Sequence, residues 1–468
     1  MANNHTVEKI GGTSMSRFAE VMNNVIIGQR KPDELYNRIF IVSAYSGITN
    51  MLLEDKKNGT PGVYGKFAIG DSAWESSLEK VCSRMLEYNR SLASLGLDQD
   101  QADDFVHSRI DGIRECLFDL TRLRSFGHFA MSTYLPATRE LLSAVGEAHS
   151  AFNSTLILQK HDINARFLDL TGWKVDEIPS FDEAVKRAFA GIDFSTTMPI
   201  VTGYVKYDEG IMTRFDRGYS EITFSKIAVI TGAREGIIHK EYHLSTGDPA
   251  LIGADKVQVI GNTNFDIADQ LSDLDMEAIH SKASKEMELC GIPIRIKNAF
   301  EPEHPGTVIS CDYISPEPRV EMICGRNDVE AIEVMDPEMV SQPGYDYQLM
   351  KNFVDTNISY IAKTTNANTI THYVPQKNQR LDECVVMIEH YFPGATIKRF
   401  PVALVAVIGT NMRIPGFLSK AADALYKEKI NVLALVQSSR QVNMQFILER
   451  KDFEKAQKAL HRVFVEEA

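Results

Sequence analysis

The stretch VEKIGGTSMSR, Val7–Arg17, decides how the rest of the chain is read. A lysine closes a short apolar segment and two glycines, Gly11 and Gly12, follow it. Thr13 and Ser14 stand where they would cap a helix running from Phe18 to Val25. Paired glycines let an anion come close to backbone N–H groups, and a helix N-terminus adds partial positive charge. Lys9 supplies a full charge beside them. The stretch therefore reads as half of a phosphate site at a strand-to-helix turn. It is not the nucleotide loop in which the lysine follows the glycines. The nearest approach to that pattern, GTPGVYGKF at Gly59–Phe67, has the wrong spacing and reads as a mobile polar loop.

Outward from this turn, NRIFIVSA (Asn37–Ala44) is a buried strand that breaks at Tyr45-Ser46-Gly47, with a helix opening near Thr49. Strand ends of this kind line ligand sites in open α/β sheets, which makes Ser43 and Thr49 site candidates. From Ser72 to Ser150 apolar residues recur at spacings of three and four, a helical pattern. Within LLSAVGEAHSAFN (Leu141–Asn153), Gly146 is costly in a helix and points to close packing or a ligand. Glu147 beside it is either solvated or binds a cation, and His149 reads as structural. Strands follow at Asn164–Leu170 and Pro199–Val205. The second dense motif is GIMTRFDRGYSEITFS (Gly210–Ser225), where Arg214 and Arg217 precede Gly218 and Ser220, and Glu221 opens a helix. Arginine at a helix start suits bidentate binding of carboxylate or phosphate. A strand is expected at Gly236–Leu244, a turn-rich loop at Ser245–Gly253, helix after Leu271, and a strand at Ile292–Asn298. The alternation predicts a doubly wound α/β domain.

After Ile314 the texture changes. SPEPR reads as a linker, and two similar units follow it. Each gives a strand, a Pro-Gly step, an amphipathic helix, a strand, a polar turn and another strand. Gly344 and Gly416 would start the two helices, with Asn357 and Asn431 following them. Repetition at near-equal spacing predicts tandem modules. The second unit runs out before a clear fourth strand.

The chain has 468 residues and a formal net charge of −13. That length accommodates two to four domains, and the charge argues against general nucleic-acid binding. Six scattered cysteines without CxxC spacing read as reduced, mostly buried thiols, and no residue set has metal-ligand spacing. Without an apolar signal core or a run long enough to span a membrane, the expected location is cytoplasmic.

Assembled in order, KIGGTS, FIVSAYSGITNML, SAVGEAHSAFN, RFDRGYSEIT, STGDP and IPIRIKNAFEPEHPGTVIS make the chain resemble the aspartate kinases of the amino-acid-kinase superfamily. KIGGTSMSRF and DLTGW (Asp169–Trp173) are most similar to the subgroup that accompanies ectoine synthesis. The resemblance implies a three-layer αβα kinase domain over 1–314, then two ACT-like βαββαβ modules at 320–399 and 400–468. It implies ATP and Mg²⁺ as cofactors and L-aspartate as acceptor. An amino-acid effector at the modules and a homodimer or higher homo-oligomer are also implied. By residue, Lys9 and Glu221 would be catalytic, and Gly11, Gly12 and Thr13 would line phosphate oxygens. Ser43, Thr49, Glu147, Arg217 and Ser220 would hold the substrate. Ser245, Thr246, Asp248, Lys240 and Lys282 would serve the nucleotide. Departures gather on that last half: Ala250 and Glu277 replace basic residues, and Ile238-His239-Lys240 replaces a Trp-Thr-Asp strand. A kinase for another acid such as glutamate, and a catalytically silent amino-acid sensor, are the competing readings.

Overall fold

The computed structural model describes residues 4–467 apart from 57, 216, 217, 273, 275–278 and 379. The chain forms two compact units, one of residues 1–243 and 279–311, the other of 244–278 and 312–468.

In the first unit seven strands lie in the order Ala165–Leu168, Met198–Thr202, Arg38–Val42, Thr6–Ile10, Glu235–Lys240, Ile294–Asn298, Thr307–Ser310. All pair in parallel except the last, which runs antiparallel to Ile294–Asn298. From Thr6–Ile10 the chain steps to one side, to Arg38–Val42, and later returns on the other side as Glu235–Lys240. The order therefore reverses beside Ile10, and ligands of open α/β sheets bind at the carboxyl ends of strands at such a point.

Thr6–Ile10 is buried along its whole length, although it carries Thr6, Glu8 and Lys9. Side chains alternate between the faces of a strand, so Glu8 and Lys9 point to opposite sides. Glu8 is fully paired: Arg38 donates to it from Nε at 2.6 Å and Nη2 at 2.9 Å, His239 Nε2 lies at 2.8 Å, and Thr6 Oγ1 donates at 2.9 Å. Burial alone would raise the Glu8 pKa, but Arg38 and His239 outweigh it and hold the carboxyl well below its usual range. The three central strands are thus bolted together under the face that presents Lys9.

The helical pattern of 72–150 resolves into Trp74–Leu92, Gln99–Ser125 and Met131–Lys160. Asp98 caps the second, accepting from the Gln101 N–H at 3.1 Å. Gly146 is a close-packing position: a Cβ there would lie 2.8 Å from Ala44 Cβ and 2.9 Å from Ile48 Cγ2. His149 is structural, buried with Nε2 2.7 Å from Asn89 Oδ1. Segment 59–67 departs from the expected loop, because Gly62 starts a helix over Val63–Ile69 and a Cβ on it would lie 2.4 Å from Met51 O. Helix also begins earlier than Leu271, at Phe265–Ser272, and resumes at Ser281–Leu289.

The second unit is built on one antiparallel sheet, in the order Ala362–Thr365, Thr369–Pro375, Arg319–Met335, Thr396–Thr410, Asn443–Leu448, Val432–Gln437. Gly344 and Gly416 do start the two repeat helices, at φ 84° and 88°. The left-handed residue after each helix is Asn357 in the first repeat and Lys429, not Asn431, in the second. The fourth strand that the second repeat lacked is Arg319–Arg326, which pairs with Leu404–Thr410, while Val329–Met335 pairs with Thr396–Val402. Each long strand thus serves both repeats. Their apolar faces close separate cores, one around Leu349, Phe353 and Ile388, the other around Leu425, Phe446 and Leu460. The six cysteines are free; Cys82, Cys324 and Cys384 are buried, Cys116 is half-buried, and Cys290 and Cys311 are exposed. Among the described residues no helix is long and apolar enough to cross a membrane.

Candidate active site

Lys9 stands one residue before the end of the central strand, and the chain turns at Gly11, extended at φ −71° and ψ 159°, into a helical turn over Gly12–Met15. Thr13 and Ser14 therefore lie inside the first turn and do not cap it. Thr13 is exposed, and Ser14 Oγ donates to Glu241 Oε1 at 2.7 Å. Gly12 is required by contact: a Cβ there would sit 2.6 Å from Ala44 O. At Gly11 the neighbours stand back, with Glu241 Oε1 3.8 Å from the Cβ position. The turn thus leaves room beside its backbone.

Lys9 Nζ lies 3.7 Å from Glu221 Oε1. Glu221, in the first turn of the helix Tyr219–Thr231, also accepts from the His280 N–H at 2.6 Å. Burial pushes its pKa up, but Lys9, Lys240 and that N–H together bring it below the ordinary carboxylate value. Glu221 is therefore an anion at neutral pH.

Glu147 is the opposite case. It is buried on the helix Met131–Lys160, and burial pushes its pKa up to about 8 despite the opposing pull of Lys9, the Tyr219 side chain and the Tyr204 backbone. Its Oε2 has no hydrogen-bond partner among the described residues. A buried carboxylate in this state gains most from a cation. Gly203 makes room for it, since a Cβ there would lie 2.8 Å from Glu147 Oε2 and 2.8 Å from Ser220 Cβ. Thr223 Oγ1 fixes that turn by donating to Gly203 O at 2.6 Å. Lys9, Glu147, Ser220 and Glu221 are thus brought together at the carboxyl ends of the central strands.

Ser43 ends Arg38–Val42, and its carbonyl accepts from Ser150 Oγ at 2.9 Å. Thr49 is half-buried in the helix Ile48–Leu52, which Gly47 starts without a side-chain cap. Arg217 lies outside the described residues, as does Glu277. Lys240 ends the strand beside Lys9, where its charge acts on Glu221. Lys282 is exposed, its Nζ 5.3 Å from the centroid of the Phe215 ring.

Ser245, Thr246 and Asp248 belong to the second unit and are engaged there. Ser245 Oγ donates to Gly247 O at 2.8 Å, Thr246 Oγ1 meets His461 Nε2 at 3.0 Å, and Asp248 caps the short helix Pro249–Ile252 through the Ala250 N–H at 2.9 Å. Reading motifs missed Glu241 and Tyr204, which carry no local pattern, whereas Gly203 ends an apolar strand and Tyr219 lies within the second dense motif.

A cavity of about 530 Å³ lies beyond Tyr204, walled by Leu141, Trp173, Tyr204, Tyr207 and Glu140. It holds none of the residues around Lys9. DLTGW forms one side of it. Arg109 pairs with Asp169 and stacks 4.6 Å from the Trp173 ring centroid, and a Cβ on Gly112 would lie 2.8 Å from Trp173 Cζ2.

The model of the amino acid kinase family matches residues 4–298, and an ACT domain model matches 405–464. Aspartate kinase Ask_Ect of Stutzerimonas stutzeri is 49% identical over 99% of this chain and 98% of its own. Aspartokinase 2 of Arabidopsis thaliana, chloroplastic, is 24% identical over 98% of this chain and 84% of its own. Among solved structures, E. coli aspartokinase III in complex with aspartate and ADP superposes with a TM-score of 0.72 at 18% identity, covering 98% of this chain and 99% of that one. Aspartate kinase of Clostridium acetobutylicum gives 0.69 at 19% identity, covering 98% and 100%.

Proposed function

Since the chain belongs to the amino acid kinase family, and within it to the aspartate kinases, we infer that it transfers the γ-phosphoryl group of ATP to the side-chain carboxylate of L-aspartate. The observation that carries this reading is Glu147, a buried carboxylate beside Lys9 whose Oε2 has no hydrogen-bond partner among the described residues.

The acceptor carboxylate is ionised at neutral pH, with a reference pKa near 4, and needs no general base. The barrier is the approach of an anion to a polyanion, so catalysis rests on positive charge, N–H donors and alignment. Lys9 neutralises charge on the moving phosphoryl group. Gly11, Gly12 and Thr13 offer backbone N–H groups to its oxygens. Glu147 takes the substrate ammonium, which supplies the cation its burial calls for. Arg217 grips a substrate carboxylate, and Ser43, Thr49 and Ser220 complete the hydrogen bonds. Glu221 keeps Lys9 aimed.

When bound with ATP, Mg²⁺ would offset phosphate charge. Among the described residues no group of three or more His, Cys, Asp or Glu could hold a metal ion. Mg²⁺ characteristically keeps several waters and takes phosphates plus one or two carboxylates. Glu241, beside Gly11, is a carboxylate of this chain that would hold it. Lys240 and Lys282 serve the nucleotide.

We assign the kinase role to 1–314 and effector binding to the modules 320–399 and 400–468, with the segment 244–278 packing in the second unit. The half-exposed Leu433 and Leu435 on the edge strand Val432–Gln437 support self-association as a homodimer or larger homo-oligomer. We place the protein in the cytoplasm, at the first step towards aspartate-family amino acids or ectoine. A silent amino-acid sensor is the competing reading, favoured by the engagement of Ser245, Thr246 and Asp248 within their own unit.

One assay separates these. The protein is incubated with MgATP and L-aspartate or L-glutamate, hydroxylamine is added, and acyl hydroxamate and ADP are measured. Hydroxamate from aspartate alone is expected. Product from glutamate alone would reassign the substrate. No product from either, with amino-acid binding retained by calorimetry, would make the protein a sensor.

A further inference from the structure

Glu140 lies seven residues before Glu147 on the same helix, and that spacing puts the two on one face. Its carboxylate is an assembly point. Oε2 accepts from Tyr204 Oη at 2.7 Å and from the Met212 N–H at 3.2 Å, while Oε1 accepts from the Thr213 N–H at 2.9 Å and Thr213 Oγ1 at 3.2 Å. Gly210, at φ 73°, lets the chain pass close, since a Cβ there would lie 2.6 Å from Glu140 Oε1. Burial and then the Glu140 charge raise the Tyr204 pKa, so the phenol stays protonated and donates.

These contacts reach the acceptor side from two directions. Tyr204 follows Gly203, its backbone bonds to Glu147, and its ring packs edge-on against Tyr219 with centroids 5.8 Å apart at 74°. Met212 and Thr213 lie in the short helix Ile211–Phe215, which Ser220 follows by five residues in the sequence. Tyr204 and Glu140 both line the cavity of about 530 Å³, and the hydrogen bond between them ties the phenol at the cavity wall.

We infer that Glu140 is a positioning residue for the acceptor: it locks Tyr204 and the short helix Ile211–Phe215, and thereby sets the affinity for L-aspartate without touching it. This rests on the kinase reading above. The four contacts use both oxygens of the side chain, two on each.

The test is steady-state kinetics of Glu140→Ala, Glu140→Gln and Tyr204→Phe in the full chain, with thermal unfolding alongside. Glu140→Ala should raise KM for aspartate at least tenfold and leave KM for ATP within twofold. Glu140→Gln, which keeps the shape and one acceptor, should recover part of the loss, and Tyr204→Phe should give a smaller loss of the same kind. Should Glu140→Ala fail to fold, the other two variants carry the same comparison. An unchanged KM for aspartate, or equal rises in both KM values tracking a lowered Tm, would overturn the proposal. A wild-type protein without aspartate turnover would instead defeat the kinase reading. Aspartate dissociation constants of the same variants by calorimetry would then decide the role of Glu140.

Discussion

The carboxylate of Glu147 rests on Gly203: a methyl group at residue 203 would lie 2.8 Å from Glu147 Oε2 and 3.0 Å from Oε1. One missing side chain on a strand end thus determines where a buried acid on a helix can sit. Gly203→Ala should move that acid and Ser220 together, lowering kcat/KM for aspartate by roughly tenfold or more, with KM for ATP little changed. Steady-state kinetics with each substrate varied in turn checks it.

Glu147 also sets a pH dependence. Its pKa in the folded protein is raised from 4.5 to about 8, so the folded state keeps a proton that the unfolded chain releases. This group therefore makes stability fall as pH rises from 4.5 to about 8, and adds no further change above that range. Glu147→Gln should unfold at a higher temperature than the parent at pH 8, by about 2 °C or more, with the gap closing towards pH 5. Aspartate should bind the parent more tightly as pH approaches 8, with proton release on binding, and this dependence should vanish in Glu147→Gln. Calorimetry in buffers of different ionisation enthalpy reads the protons directly.

Lys9→Met should retain the circular dichroism spectrum and lose turnover by on the order of 10³-fold, the scale expected when a preorganised charge is removed from a transferring group. Turnover within tenfold of the parent would show that Lys9 does not face the phosphoryl group.

At the Gly11-Gly12 turn, the Cβ of Gly12→Ala would have to displace Ala44 O, a backbone atom 2.6 Å away. Backbone yields less readily than the tip of a flexible side chain, so a stability loss of about 1–3 kcal/mol is expected. KM for ATP should rise with it. Denaturant unfolding and nucleotide titration check the two effects separately.

What could be read in advance divides by range. Lys9, Gly11-Gly12, Glu147 and Ser220-Glu221 each stood in a local pattern, a strand end or a helix start, and those patterns govern the backbone over a few residues. Thr246 looked like part of a nucleotide loop, yet its hydroxyl meets His461, 215 residues on, and no local rule reports such a partner. Glu140 was hidden for the same reason. In a helical pattern an acid reads as solvated, and the four donors that claim this one come from Tyr204, Met212 and Thr213. The repeats were visible from their periodicity, but strand pairing is not periodic. The missing strand of the second repeat therefore appeared only once Arg319–Arg326 was seen beside Leu404–Thr410.

That exchange of strands has a consequence for how the C-terminal half can be cut or inherited. A chain ending at residue 399 would lose Leu404–Thr410, and Arg319–Arg326 would be left as a bare edge ready to pair with another molecule. The repeats are in this sense a single foldon. Evolution can retune either face by point changes, but it can delete neither repeat without losing both.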